Sequence, residues 1–450
     1  LAKEKVKYVC NECGQSSLKW MGRCTSCGAW NSLEEEIEIK VKGSKKEIKD
    51  IKAYTCDGDK VEDDFRYATK LLEFDRVLGG GLVKGEVVLI TGNPGIGKST
   101  LLLQASNEYT KYGKVIYVSG EESVSQIKFR ANRLNIESSN LFIINETEVS
   151  SLCAYIQKAK AKVVVIDSIQ TLYNGNYDAI PGTPTQIRES TLEILNLAKG
   201  NDISIFIVGH ITKDGKVAGP KLLEHMVDAV LNFDGEEGNF YRILRSQKNR
   251  FGSTNEIGIF SMENDGMKEI KNPSEFFLSE REEKNIGSLI VTSLEGSKVF
   301  LLEVQTLLVA SNFGLPRRLV QGFDKNRLEM LCAIIEKKMG FSFAQLDIFL
   351  NIPGGINIKD TSADLAIVMA IFSAIKEVEV SQKIAAIGEL GLRGEIRKVS
   401  FIQKRLRELE KLGFKGAYVP YANKEEIEKE KYSLKIIYLK NLLELMERMK

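Results

Sequence analysis

Neither sign of charge dominates this chain: 63 lysines and arginines stand against 61 aspartates and glutamates, a formal net charge of +2 over 450 residues. Bulk attraction to nucleic acid is excluded, and any such contact has to come from local basic patches. Long apolar stretches are missing too. The longest, about Leu365 to Ile371, falls far short of the roughly 20 residues a membrane span needs, so no membrane role is expected. No cationic, apolar, small-residue leader opens the sequence, which points to a cytoplasmic protein rather than a secreted one. Internal repeats of about 20–50 residues are absent as well.

What is present is ordinary for a globular protein: 43% hydrophobic and 28% charged residues, which excludes a disordered or collagen-like chain. The length is too great for one core and predicts about three domains. Of seven cysteines, four fall between Cys10 and Cys27. In a cytosolic chain that clustering reads as metal binding, with Cys56, Cys153 and Cys332 as scattered buried thiols.

Three blocks separate by composition. Residues 1–30 hold the clustered cysteines and both tryptophans, Trp20 and Trp30. A mixed-charge run with few large apolar residues, opening on Glu34-Glu35-Glu36, reads as a linker over 31–60. Over 61–270, strand-like apolar runs alternate with helical segments: Val87–Thr91, Val115–Ser119, Leu141–Ile144, Val163–Asp167, Ile203–Val208, then Ala229–Phe233, Tyr241–Arg245 and Ile257–Ser261. That cadence predicts a mainly parallel sheet covered on both faces, and Asp234-Gly235 suggests an antiparallel extension. Asn272-Pro273 and a charged run mark a second linker over 271–285, and 286–450 forms a second α/β block.

The spacing Cys10-x2-Cys13 and Cys24-x2-Cys27 places two pairs ten residues apart. Four thiolates close a tetrahedral shell, so the expected site is structural zinc; two redox dithiols are the competing reading. Gly92-Asn93-Pro94-Gly95-Ile96-Gly97-Lys98-Ser99 is a complete phosphate-binding loop, set between an apolar strand and a helical run that starts at Thr100. Its backbone N–H groups would cradle the phosphates of ATP, Lys98 would neutralise the β- and γ-phosphates, and Ser99 would coordinate Mg²⁺. Val163–Asp167 ends in a carboxylate at the same crevice, which makes Asp167 a candidate to hold the metal. Glu121 and Glu122, just past Val115–Ser119, are both candidates to polarise the attacking water, and neither is preferred on sequence physics. His210, past Ile203–Val208, is a possible γ-phosphate sensor that would signal to Thr212–Pro220, or a loop histidine satisfied by backbone. Tyr241–Gly252 carries Arg242, Arg245, Lys248 and Arg250 with no acid. It reads either as a solvated strand face or as a cationic finger aimed at phosphate.

These residues together resemble the RadA (Sms) family of bacterial DNA repair proteins. The resemblance covers essentially the whole chain. Its most specific element is Lys248-Asn249-Arg250-Phe251-Gly252, and Arg76-Val77-Leu78-Gly79-Gly80-Gly81 also fits it. It implies an α/β fold: a RecA-like P-loop ATPase core, an N-terminal four-cysteine zinc module and a C-terminal Lon-protease-like domain. It further implies hexameric rings that move on single-stranded DNA and process branches in homologous recombination alongside the RecA recombinase. By the same resemblance Glu121 takes the place of the catalytic glutamate. By that resemblance Lys248 and Arg250 would couple ATP to DNA and complete a neighbouring subunit's site.

In the Lon-like tail, Ser362 stands at the nucleophile position. The segment Gly388–Gly394 sets a register that puts Gln403 where the assisting lysine belongs. Glutamine accepts no proton, and Lys404 points elsewhere on the helix, so no peptidase is expected. Thr361-x-x-Asp364 reads instead as a capping box ahead of Leu365–Ile371. The run Arg397, Lys398, Lys404, Arg405, Arg407, Lys411 and Lys415 reads as a DNA-facing surface. Two rival functions remain: an ATP-dependent protease with an unusual dyad, and an ATP-gated clamp or adaptor without motor activity.

Overall fold

Val87, Val88, Leu89 and Ile90 are all fully buried, yet they face two different cores. Val88 and Ile90 pack with Leu101, Leu103 and Phe206, while Val87 and Leu89 pack with Ile156, Ile187 and Ile194. A strand apolar on both sides needs cover on both, and the fold of the ATPase core follows from that requirement. The computed structural model describes residues 5–10, 15–38, 66–210, 220–235, 241–278, 286–311, 316–353 and 356–449. It divides into two compact units, Leu1–Glu269 and Ile270–Lys450.

At the head of the first unit, β1 (Lys5–Cys10) pairs antiparallel with β2 (Ser16–Ser17) and β3 (Leu33–Glu38). The glutamate run read as linker is therefore a strand, its register setting Lys5 opposite Glu38 and Lys7 opposite Glu36. A short pair, β4 (Arg66–Tyr67) with β5 (Leu82–Val83), brackets α1 (Leu72–Val77).

The central sheet has nine strands. In chain order they are β6 (Val87–Gly92), β7 (Val115–Ser119), β8 (Leu141–Ile144), β9 (Val163–Asp167), β10 (Ser204–His210), β11 (Ala229–Asp234), β12 (Tyr241–Asn249), β13 (Ile257–Glu263) and β14 (Gly266–Glu269). Their order across the sheet is β14-β13-β12-β11-β6-β10-β9-β7-β8. The six strands from β11 to β8 are parallel, and β12, β13 and β14 extend the sheet antiparallel. Helices α2 (Lys98–Tyr109) and α3 (Val124–Arg133) supply one core, and α4 (Val149–Ala159), α5 (Pro184–Asn201) and α6 (Pro220–Met226) the other. Strand β14 was not expected from the sequence. It is made by a two-residue turn, Asn264-Asp265, ahead of Gly266 at φ +124°.

In the second unit, Pro273–Leu278 forms helix α7, packed on the strand Lys298–Ala310. The stretch 271–285 read as linker thus carries a helix, whose Ser274 hydroxyl accepts from the Leu301 N–H (3.1 Å). The unit's sheet includes β15 (Ser288–Glu295), β16 (Lys298–Ala310), β17 (Arg318–Gln321) and β18 (Leu346–Asn351). Helices α8 (Lys325–Met339) and α9 (Asp364–Lys376) belong to the same unit.

One buried acid in the first unit offers a test of this packing. Glu86, just before β6, is 1% exposed; one oxygen accepts from the Val83 N–H (2.8 Å), and among the described residues the other has no partner. Burial pushes its pKa up to about 7, and nearby Asp228 adds to the rise. The folded protein keeps this proton to higher pH than the unfolded chain, so the stability Glu86 contributes is lost as pH rises through about 7. Glu86→Gln is expected to raise the melting temperature at pH 8, by at most about 3 kcal/mol of stability, and to change little at pH 5. Equal effects at both pH values would contradict the assignment.

Candidate nucleotide and metal sites

Three glycines shape the loop between β6 and α2: Gly92, Gly95 and Gly97 have φ of +146°, +76° and +112°. A Cβ at Gly92 would lie 2.5 Å from the Phe233 carbonyl oxygen, and one at Gly97 would lie 2.4 Å from the Met267 methyl. Gly95 faces open space, as a residue approached by a ligand should. Asn93 and Pro94 are exposed, Ile96 is buried against Phe233, and Thr100 is buried in the first turn of α2. Ser99 is half-buried beside them.

Lys98 is 3% exposed, and its ammonium donates to the carbonyls of Gly92 (2.7 Å) and Asn93 (3.0 Å). Burial lowers its pKa to about 8, against the opposing pull of Asp167 and Glu121. Those carboxylates are near because parallel strands end together: Ser119 stands opposite Asp167, and Gly92 opposite both His210 and Phe233. Asp167 accepts from the Tyr117 phenol (2.7 Å), and the Ser168 hydroxyl donates to Glu121 (2.6 Å). Glu122 turns away into an ion pair with Arg130. The structure thus separates the two glutamates that sequence physics left equivalent. His210 ends β10 at this edge, and the following loop, 211–219, lies outside the described residues. The donor set of Ser99 and Asp167 fits Mg²⁺, which is bound by oxygen ligands.

Lys248–Gly252 occupies the opposite edge of the sheet. Lys248 pairs with Val230 and Asn249 with Ala229, at the start of β11, whereas Gly92 pairs with Phe233 near its end. The motif is also engaged within its own chain. Lys248 donates to the carbonyls of Glu224 (2.7 Å), His225 (3.3 Å) and Val227 (2.8 Å), closing the end of α6. Arg250 pairs with Asp228 (3.2 Å), and Asn249 donates to the Leu78 carbonyl (3.2 Å). Arg66 donates to the Phe251 carbonyl (2.7 Å). Gly252 meets Gly79 backbone to backbone: a Cβ on Gly252 would lie 2.7 Å from the Gly79 Cα. The motif is thus tied to its own chain on one side, while the Arg250 side chain stays 50% exposed.

In the ribbon, the sulfurs of Cys10, Cys24 and Cys27 all lie within 4.8 Å of one another. Cys10 and Cys27 are 3.6 Å apart, far beyond disulfide length and close to the edge of about 3.8 Å that Zn–S bonds of about 2.3 Å give a tetrahedron. Cys24 turns through Gly28, at φ +76°, whose N–H donates back to the Cys24 carbonyl (3.0 Å). Cys13 and Cys56 lie outside the described residues, and Cys153 and Cys332 are buried. Three soft donors in this arrangement fit zinc.

The second unit corrects the register of the Lon-like comparison. Ser362 is faced by Arg405, not Gln403: Arg405 donates to the Ser362 hydroxyl (2.8 Å), while Gln403 donates to the Glu426 carbonyl (2.9 Å). The absence of a base stands for a different reason, since a guanidinium keeps its proton. Arg405 also reaches the Thr292 carbonyl (2.8 Å) and Asp360 (2.6 Å), and is itself 2% exposed. It is therefore no part of a DNA-facing surface. The cap also differs from expectation. Asp360 accepts from the Ser362 N–H (3.0 Å), Thr361 donates to Glu389 (2.7 Å), and Asp364 is buried in an ion pair with Arg327. Of the other cations in that run, Arg397, Lys398 and Arg407 pair with Glu395, Glu426 and Glu430. Lys404, Arg407 and Lys411 line a cavity of about 360 Å³ together with Lys271, Lys298 and Glu408.

A parallel sheet with a phosphate loop at its C-terminal edge, headed by a cysteine ribbon, defines an α/β P-loop protein of the AAA type with a zinc-ribbon module. Comparison with known proteins agrees. Residues 58–216 match a family model described as an AAA domain, residues 8–35 one described as a rubredoxin metal binding domain, and residues 308–423 one described as subunit ChlI of Mg-chelatase. The chain is 45% identical to the DNA repair protein RadA of Bacillus subtilis (strain 168), over 99% of this chain and 98% of that one. RadA of Aquifex aeolicus (strain VF5) is 45% identical over 95% and 96% of the two chains, and that of Halalkalibacterium halodurans 44% over 94% of each. The chain belongs to the RadA family of DNA repair proteins. Among the described residues no helix is long and apolar enough to cross a membrane.

Two outcomes follow from this geometry. Because phosphate binding favours the charged form of Lys98, affinity for an ATP analogue should fall as pH rises through about 8, approaching about tenfold per unit. Calorimetric titrations at pH 7, 8 and 9 measure this; constant affinity would show that Lys98 is not the charge in play. In the second unit, burial opposes ionisation of Asp360, but Arg405 and the N–H groups of Ser362 and Leu294 hold its pKa below the ordinary value. Arg405→Ala should cost about 3–5 kcal/mol in chemical denaturation at pH 7 by stranding that carboxylate, and less in an Asp360→Asn background. Equal costs in both backgrounds would break the link.

Proposed function

We propose that this chain is a DNA-stimulated ATPase that cleaves ATP to ADP and phosphate and couples the cycle to movement on single-stranded DNA. The observation that carries the reading is the clustering of Lys98, Asp167 and Glu121 at the phosphate-loop edge of the sheet, in a chain whose relatives are named DNA repair proteins. In this reading Gly92–Thr100 cradles the triphosphate and Lys98 leaves the Gly92 and Asn93 carbonyls to meet it. Ser99 and Asp167 hold Mg²⁺, which supplies further neutralisation of phosphate charge. Glu121, oriented by the Ser168 hydroxyl, polarises the attacking water, and His210 senses the γ-phosphate.

Lys248 and Arg250 lie at the edge of the sheet away from their own chain's loop, so any action on ATP is on a neighbour's, in a ring that we take to be hexameric. Such an arrangement makes hydrolysis report on assembly and DNA occupancy. Zinc held by Cys10, Cys13, Cys24 and Cys27 is structural. The second unit acts as a Lon-like scaffold without peptidase chemistry, and its lysine-lined cavity supports contact with DNA phosphates. The cellular role is branch processing in the cytoplasm alongside a RecA recombinase. Arg405 beside Ser362 argues against the protease alternative.

Steady-state hydrolysis with and without single-stranded, duplex and forked DNA over a salt series tests the proposal. Stimulation by single-stranded and forked DNA that fades steeply with salt is expected, with turnover abolished by Lys98→Ala. Turnover indifferent to every DNA at low salt, or a Lys98→Ala chain retaining full repair function, would favour the clamp or adaptor. Lys248→Ala should leave nucleotide affinity within about twofold while cutting the DNA-stimulated rate at least about tenfold.

A further inference from the structure

Among its described residues the zinc ribbon buries few apolar side chains, and those it leaves outside form a pattern. Its core is Cys10, Cys24 and Leu33, backed by Tyr8 and Met21. Both tryptophans stay out, Trp20 at 56% and Trp30 at 72% exposure, and Leu18 lies beside Trp20 in sequence at 79%. A module this short of apolar core gains more from burying an indole than from any other side chain, so two exposed ones need a reason. The rings flank a single glycine: a Cβ on Gly22 would lie 3.9 Å from Trp20 and 3.9 Å from Trp30. The backbone beneath them is fixed. Arg23 and Trp30 form an antiparallel bridge, and the Asn31 N–H donates to the Gly22 carbonyl (2.8 Å). The Arg23 guanidinium lies 5.6 Å from the Trp30 ring centroid, its Nε donating to the Gly28 carbonyl (2.9 Å). From Gln15 to Ser32 the only charged residues are Lys19 and Arg23, with no acid.

We infer that Trp20 and Trp30, with Lys19 and Arg23 at their margins, form a stacking platform for the unpaired bases of single-stranded nucleic acid. The inference rests on the DNA-acting reading above and adds a binding site to it. Flat indoles presented at fixed spacing accept any base, because every base offers a π-face, while the two cations meet the phosphates. The charged side chains that border the rings, Lys19 and Arg23, are both positive and suit the phosphates of a polyanion.

The chain contains no other tryptophan than these two, so intrinsic tryptophan emission reports on this patch alone. Zinc-loaded full-length protein titrated with unlabelled oligodeoxythymidylate at low salt should lose emission with the midpoint given by anisotropy of a fluorescein-labelled oligonucleotide. Trp20→Ala and Trp30→Ala should each weaken binding about fivefold or more, whereas Trp30→Phe retains most of it, with zinc content unchanged in all three. If an alanine variant loses zinc, Lys19→Glu and Arg23→Glu decide instead, and a lower salt slope with weaker binding is expected of them. DNA binding seen by anisotropy but leaving the emission and the variants' affinities unchanged overturns the platform and spares the DNA-acting reading. Emission that responds only to an added recombinase, and not to DNA, assigns the rings to a protein partner and also overturns it. No anisotropy change in the wild-type chain defeats the DNA-acting reading, and this inference falls with it.

Discussion

Lys98 is held out of water with its ammonium folded back onto the carbonyls of its own loop, and the parallel register of the sheet surrounds it with acids. Burial makes the charge costly, so the protein leaves it only partly stabilised until a stronger anion arrives. Asp167 and Glu121 contribute because β7 and β9 end in step with β6, and Tyr117 and Ser168 hold them where they lie. The order β6, β10, β9, β7 is therefore as much a part of the site as the glycine loop. Strands pairing in another order would leave the same loop without its acids.

The antiparallel extension has two separate duties at the two edges of this sheet. At the loop edge, the β13–β14 hairpin brings Met262 and Met267 against Gly97, and Gln104 clasps Met267 through both its N–H and its carbonyl. At the far edge, β12 runs out through Lys248 and Asn249 into Arg250–Gly252, and this motif joins the end of α6 to the turn at Gly79. That junction is intolerant for a simple reason. Two glycines meet there without side chains, so any Cβ would push the strands of the motif and the turn apart. A motif that looks like a cationic finger in sequence works inside its own chain first as a splice between three segments.

The sheet was legible in sequence because its strands are apolar on both faces, and short all-apolar runs bounded by polar turns survive without tertiary information. The glycine loop and the cysteine spacing were legible for a related reason, since each is a local pattern that reads without tertiary information. What escaped depended on contacts between distant segments. Strand β14 opens at Gly266, behind the Asn264-Asp265 turn, and its pairing depends on β13 lying beside it. The different surroundings of Glu121 and Glu122 depend on Arg130, which pairs with Glu122 from eight positions further on once α3 is in place. The strand Leu33–Glu38 was hidden by its charge, which the edge of the β2-β1-β3 sheet admits.

Ser362 shows the same boundary from the other side. An alignment by short motif picked Gln403, two positions from the residue that folding brings to the serine. Neither residue can act as a base, but only Arg405 touches the serine. Its guanidinium binds the serine hydroxyl, the Thr292 carbonyl and Asp360 at once, so the space that a nucleophile and its base would need is filled by a saturated, buried ion pair. A charge buried that deeply is tolerated only while all of its partners remain, which constrains how β15, the turn at Asp360–Ser362 and the segment around Arg405 pack.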